Sequence, residues 1–143
     1  MSQTLIDAVH YLLERDTAFM TLLGLDSAAF PEVKAGKLVK GLEPDIVLSD
    51  KNIPQVQIYT MPGRYGRNHL VYEGKFCLDI YAKRSNDARG IAQRAFELFH
   101  DKYLSFQGFQ SFRCHLAYDT DFATGIKELK GFKAIYDVDY VRK

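Results

Sequence analysis

The hydrophobic period of this chain changes from that of a helix to that of a strand, and this change is what most constrains its fold. Over 5–23, apolar residues recur at spacings of three and four, which predicts an amphipathic helix. From residue 55, Val56, Ile58 and Thr60 alternate with polar neighbours. A period of two is typical of a strand that buries one face and exposes the other. The first helix is therefore expected to cover a sheet.

Three further stretches alternate in the same way, at 75–83, 112–118 and 132–141. Between the first two, a helical stripe runs over 88–103 behind a capping Ser85 or Asn86. Hairpin-like spacing of the strands favours an antiparallel arrangement over parallel crossover units. The sequence therefore predicts an α+β fold, a mostly antiparallel sheet of about four strands with two helices packed on one face. The length of 143 residues predicts a single domain over 1–143.

Two connections are unusually long. Residues 24–52 contain Pro31, Gly36, Gly41 and Pro44 and keep neither period, which predicts a long irregular loop. Residues 61–72 predict an extended hairpin loop with a basic tip. Loops of such length are usually functional or partly disordered.

Composition excludes several classes of function. The net charge is +1 and the pI about 7.8, far from the basic balance of a dedicated nucleic-acid binder. No apolar run approaches the length of a membrane span, so no membrane association is expected. Cys77 and Cys114 are too few for a four-thiolate zinc site and are expected to be buried free thiols. No phosphate-binding glycine loop, nucleophile elbow or paired-histidine zinc motif is present, and we expect no cofactor or metal.

The strongest candidates for a functional site are residues of partner contact. Tyr and Arg dominate interface hot spots, and the hairpin loop combines them with His; Lys37 and Lys40 add positive charge to the 24–52 loop. The predicted partner interface is Arg64, Tyr65, Arg67, His69, Lys37 and Lys40. A solvated loop is the alternative for the hairpin tip. The acidic residues Asp79, Asp137 and Asp139 alternate with lysines (Lys75, Lys83, Lys133), and are interpreted as a solvated charge lattice across strands.

One pattern points to catalysis. Pro44-Asp45 followed by Glu73-Gly74-Lys75 satisfies the loose P-D…(D/E)-x-K pattern of metal-dependent nucleases. Such a site needs two carboxylates on a divalent ion and a Lys to position the attacking water. Glu73 and Lys75 would share a strand face, but Asp45 lies in the irregular segment. A nuclease is therefore the alternative hypothesis, and the leading expectation is a protein without enzymatic activity.

The order of elements, together with the stretches 53–59, 74–87 and 131–140, resembles the tail terminator (tail completion) proteins of long-tailed bacteriophages. The resemblance extends over nearly the whole chain except 24–52. That family is defined by pattern and length, so it assigns no functional residue to this sequence. Head-closure and other neck proteins are a second possibility among virion components, although they tend towards small β-barrels.

The resemblance implies a structural protein of the virion tail or neck, assembled in the host cytoplasm. Six copies would form a ring that caps the tail tube protein and joins it to the head completion or connector protein. DNA would pass through the lumen without specific binding, with which a net charge near zero is compatible.

Overall fold

The computed structural model describes residues 2–25, 31–41 and 53–141. Its strands are β1 Leu38–Lys40, β2 Gln55–Tyr65, β3 Val71–Ala82, β4 Lys102–Phe106, β5 Phe109–Ala123 and β6 Lys130–Val141. Its helices are α1 Ser2–Arg15, α2 Thr17–Leu22, α3 Pro31–Lys37 and α4 Ser85–Phe99. The strands form one mixed sheet in the order β1-β2-β3-β6-β5-β4, which curves into a half-barrel.

The middle of the sheet is the antiparallel pair of β3 and β6. They remain in register over twelve residue pairs, from Val71 opposite Val141 to Ala82 opposite Lys130, without a bulge. Alternation places Phe76, Leu78 and Ile80 on one face of β3, where all three are buried. This apolar face of the sheet forms one side of the core.

The two long helices, α1 and α4, pack on that apolar face. Phe99 of α4 meets the rings of Phe76 and Tyr136 at centroid distances of 5.3 and 5.7 Å, and those two rings stack at 5.1 Å. Edge-to-face and offset rings at these distances add to the energy gained from burial alone. Within the described ranges, no helix is both long and apolar enough to span a membrane.

The predicted fold class was wrong in its count of elements. In place of about four strands, two helices and a long irregular loop, the structure has six strands and four helices among the described residues, with the sheet as the dominant element. Each missed element is short or adjoins a break in a periodic pattern.

The first break is at Asp16, which divides the predicted helix over 5–23 into α1 and α2. The Asp16 carboxylate accepts a hydrogen bond of 2.8 Å from the Phe19 backbone N–H and so caps α2. The apolar stripe continues past the break because α2 still buries Phe19 and Met20.

The second correction concerns 24–52. Residues 31–40 are not irregular, because α3 begins with Pro31 at its first position, where a missing N–H costs nothing. Gly36 is buried, and its carbonyl accepts a hydrogen bond of 2.8 Å from the Gln55 side chain. Helix α3 leads into β1, which runs parallel to β2. These elements of seven and three residues are too short to show a period; the rest of the predicted loop, 26–30 and 42–52, lies outside the described residues.

The third correction follows α4. The sequence pattern predicts a helix as far as Tyr103, but α4 ends at Phe99 and Asp101 has a positive φ of 60°. The chain then enters β4 and turns back through Gln107 and Gly108 into β5. Tyr103 fits the helical spacing although it lies in β4. The helical pattern therefore overlaps the start of the β4–β5 hairpin.

The Asp16 cap gives a test of stability. Arg94 of α4 donates to both Asp16 carboxylate oxygens, at 2.8 and 2.7 Å, and holds the pKa of Asp16 below its ordinary value of 3.8. Asp16→Ala is expected to lower the free energy of unfolding by about 1 kcal/mol or more, since it removes the cap of α2 and one of the two carboxylate partners of Arg94, the other being Glu97. Chemical denaturation at pH 7 measures the loss.

Asp16→Asn is the matched control, because the amide retains the capping oxygen and removes the charge. A carboxyl whose pKa is depressed on folding stabilises the protein above its unfolded pKa, and this contribution is lost as pH falls through the folded pKa. The stability difference between the wild-type protein and Asp16→Asn should therefore be full above about pH 4 and shrink below it. A difference that is constant from pH 7 to pH 2 would contradict the assigned ion pair.

Candidate partner interface

The tip of the β2–β3 hairpin gathers four of the six predicted interface residues. Most of the predicted 61–72 loop is strand, since β2 extends to Tyr65 and β3 begins at Val71. A bulge lies between Met61 and Arg64, and the turn is closed by a hydrogen bond of 3.1 Å from the Gly66 N–H to the Val71 carbonyl. The tip is thus a short turn on two long strands.

The side chains of the tip face solvent. Arg64 is 84% exposed and its Nε lies 3.3 Å from Glu73 Oε2. Tyr65 is half exposed, and Arg67 and His69 are exposed without a charged partner among the described residues. An exposed ion pair of this kind contributes little to stability, so these groups are available to a partner.

A row of aromatic rings supports the tip. Tyr65 contacts Tyr72 with centroids 5.3 Å apart, Tyr72 contacts Tyr140 at 5.5 Å, and Tyr140 contacts Phe109 at 5.2 Å. The row crosses β2, β3, β6 and β5 and fixes the base of the hairpin. No local sequence pattern predicts these supporting rings, because only the strand register brings them together.

Apolar side chains extend this surface along the same end of the sheet. Leu70, Phe112 and Val141 are all large, exposed hydrophobic residues. Phe112 and Val141 border a cavity of about 510 Å³ beside the β4–β5 turn. Apolar groups that remain exposed together often mark a protein-binding surface.

The structure does not bring Lys37 and Lys40 to the tip. Lys40 pairs with Ile58 in the β1–β2 ladder, seven residues before Tyr65, which at about 3.3 Å per residue is roughly 23 Å away. Its Nζ lies 2.8 Å from an Asp7 carboxylate oxygen, which lowers the pKa of Asp7. The Lys37 ammonium donates to the Leu23 carbonyl at 2.8 Å, and desolvation lowers the pKa of Lys37. A binding role for either lysine stays a prediction.

The predicted charge lattice lies on the sheet face opposite the helices. Lys75 pairs with Asp137, and Lys133 Nζ lies 3.6 Å from an Asp79 oxygen, which confirms cross-strand pairing. Asp79, however, is only 6% exposed, so this part of the lattice is not solvated as expected. The Tyr59 hydroxyl donates to this carboxylate and lies 3.1 Å from both of its oxygens. Burial also raises the pKa of Tyr59.

Both cysteines are buried free thiols, as the sequence predicted. Burial raises the pKa of Cys77 to about 12 and also raises that of Cys114. Because the thiolate is the reactive form, neither residue has the environment of a nucleophile.

The nuclease hypothesis gains no support from the geometry. Glu73 and Lys75 do share a face, but Glu73 pairs with Arg64 and Lys75 with Asp137, and Asp45 lies outside the described residues. Across 2–25, 31–41 and 53–141, no group of three or more His, Cys, Asp or Glu side chains is arranged to hold a metal ion.

Comparisons with known proteins add one finding about the fold. No family model matches the chain, and no curated protein matches it in sequence. Among solved structures, its fold is similar to that of a chain from the virion of a native gene transfer agent (GTA) particle, with a TM-score of 0.68. The match covers 96% of this chain and 95% of the other at 9% sequence identity. At this identity the likeness defines the class of fold and no more.

The hairpin tip gives a second test of stability. A Cβ added at Gly63 would lie 2.6 Å from the Glu73 backbone carbonyl oxygen and 2.8 Å from the Tyr72 ring. Gly63→Ala is therefore expected to displace β2 from β3 and to destabilise the protein by about 1–3 kcal/mol.

Gly90→Ala is the control, because a Cβ there meets nothing within 4 Å and the position lies inside α4. It should stabilise the protein by about 1 kcal/mol and raise Tm by about 3 °C. Thermal unfolding followed by circular dichroism compares the two variants. Equal Tm changes in both would show that Gly63 is not constrained by the hairpin.

Proposed function

We propose that this protein is a structural component of a phage-like virion. The observation that carries the proposal is the shared fold with a chain of a gene transfer agent virion, which covers nearly the full length of both chains. Because the match extends over nearly all of both chains, the two proteins share the whole fold and not merely one part of it. The resemblance in element order and sequence pattern to tail terminator proteins points to the same class of particle.

Within that class we propose the role of tail terminator. Six copies form a ring that caps the tail tube, stops its growth and presents a surface to the head connector. Contacts between identical copies in a ring are heterologous, so each copy needs two different patches. Different surfaces at the tip and at the sheet edges are compatible with this requirement.

The hairpin tip is the proposed docking surface for the tube or connector protein. It combines Arg64 and Arg67 with exposed Tyr65 and Leu70, and the aromatic row holds it in place without a partner. A rigid surface loses less conformational entropy on binding than a flexible loop does. DNA inside such a ring would slide past without specific contacts, which a net charge of +1 allows.

Charge reversal at the tip tests this role. Arg67→Glu should reduce the yield of joined, infectious particles at least about tenfold in a complementation assay, since loss of an interface hot spot costs about 2 kcal/mol or more. Arg67→Lys is the matched control and should retain most of the yield, because it preserves the charge. Arg67 has no charged partner among the described residues, so Tm should be unchanged in both variants. Normal particle yield from Arg67→Glu would refute the docking role.

A further inference from the structure

The two lateral edges of the sheet differ in length, and their outlines are complementary. On one side, β4 pairs only with the first part of β5, from Phe109 opposite Phe106 to Cys114 opposite Lys102. Beyond Cys114, β5 continues to Ala123 with no strand on that side among the described residues. Its side chains are largely exposed there, with Tyr118 at 65%. A long open edge of this kind is a template for another strand.

On the other side, β1 is an edge strand of only three residues. It covers β2 only where Leu38, Val39 and Lys40 pair with residues 56–58. Leu38 is buried and Lys40 is exposed, so Lys40 is the most accessible residue of this edge strand among the described residues. β1 thus widens the sheet by one strand, but only beside residues 56–58 of β2.

When the residue pairings are followed across the sheet, the residues of β1 align with residues in the open part of β5. The register from Lys40 passes through Ile58, Leu78 and Ala134 and reaches Asp119 of β5. By the same path, Val39 leads to Thr120 and Leu38 to Asp121. The sheet therefore has an extra strand, β1, beside residues 56–58 of β2. At the same level on the other side, residues 119–121 of β5 have no outer neighbour strand among the residues that the structure describes.

The strand directions also agree. β1 is parallel to β2, and each later neighbour across the sheet, through β3 and β6 to β5, is antiparallel to the one before. β1 is therefore antiparallel to β5, as β4 is. A second copy in the same orientation would place its β1 against β5 in line with β4, where β4 stops.

The charges at these edges select against a symmetric pairing. The open part of β5 has Asp119 and Asp121 on the helix-bearing face, where Asp121 already pairs with Arg89. Two copies of β5 paired about a two-fold axis at Thr120 would bring these aspartates opposite one another, which is destabilising. The opposite edge has Lys40, which reaches the same helix-bearing face through its contact with Asp7 of α1. Unlike edges are therefore the favoured pairing.

A groove beside the open edge also lacks a partner. Between α4 and β5 lies a cavity of about 330 Å³, bordered by Phe96, Leu116 and Asp119. Tyr136 lines it, and the Tyr136 hydroxyl is a buried side-chain polar atom for which the described residues provide no hydrogen-bond partner. Such groups are rare in native structures and call for an explanation. A strand added along residues 117–123 would lie beside this groove at Asp119.

We propose that β1 of one copy adds as an antiparallel strand to residues 117–123 of β5 in the next copy, with Lys40 facing Asp119. This proposal rests on the self-association given under the proposed function, and it identifies the two surfaces that form the contact. Because the two surfaces differ, each copy can use both at once, and the copies form a closed ring if the rotation between them closes. Main-chain pairing gives affinity in such strand additions, and the flanking side chains give specificity.

Disulfide trapping tests this contact. Directly opposed residues in an antiparallel pair have Cα atoms about 4.5–5.5 Å apart, within the range that a disulfide spans. The double variant Lys40→Cys/Asp119→Cys, oxidised with copper phenanthroline, should give a covalent ladder on a non-reducing gel that ends at the ring size and collapses with dithiothreitol. Cys77 and Cys114 are buried and should not contribute.

The matched control is Lys40→Cys/Glu128→Cys, which moves one thiol to an exposed position outside the rows of β1. It should give less than a tenth of the ladder. Equal ladders from the two variants, or no ladder from Lys40→Cys/Asp119→Cys when the wild-type protein forms rings, would overturn the proposed contact while the terminator role stands. A protein that stays monomeric at every concentration would overturn the contact and remove the basis for self-association.

A charge swap gives an independent readout. Asp119→Lys and Lys40→Asp should each raise the concentration for half-assembly at least about tenfold, because each places like charges across the contact. In a mixture of the two variants, both kinds of contact between unlike chains join opposite charges, because one variant is positive and the other negative at positions 40 and 119. Native mass spectrometry should therefore show oligomers that contain both chains. Failure of the mixture to assemble beyond either variant alone, with both variants folded by circular dichroism, would refute the assigned pairing.

Discussion

The uninterrupted register of β3 and β6 is the constraint on which the rest of the structure depends. Twelve residue pairs without a bulge fix which side chains face the helices and which face away. A slip of one residue would turn every side chain of a strand to the other face. The stacked rings of Phe76 and Tyr136, beneath Phe99, stabilise the correct register in the core. The neighbouring pairs, by contrast, contain register shifts and carry the exposed surfaces.

Hydrophobic period was enough to predict the long elements. The helices α1 and α4 and the strands β2, β3, β5 and β6 are all recognisable in the sequence, since each is long enough to show a repeat. The missed elements were α3, β1 and β4, with seven, three and five residues. These short elements are stabilised by tertiary contacts, such as the hydrogen bond from Gln55 to the Gly36 carbonyl, and intrinsic preference contributes little.

The candidate interface could be predicted in composition but not in arrangement. Arg64, Tyr65, Arg67 and His69 lie close together because they belong to one hairpin. Lys40 lies on another edge, and no local pattern could reveal this, because strand order depends on pairings between distant segments. For the same reason, the alignment of Lys40 with Asp119, which are far apart in sequence, follows only from the register of all the intervening strands.

A closed ring of six copies, joined through unlike surfaces, is the proposed assembly of this protein. Native mass spectrometry of the purified protein over a wide concentration series tests it most directly. The expected result is a species of about 98 kDa, six times the 16.4 kDa chain, with nothing larger at high concentration. A monomer at all concentrations, or an open series of growing oligomers with no preferred end, would contradict it.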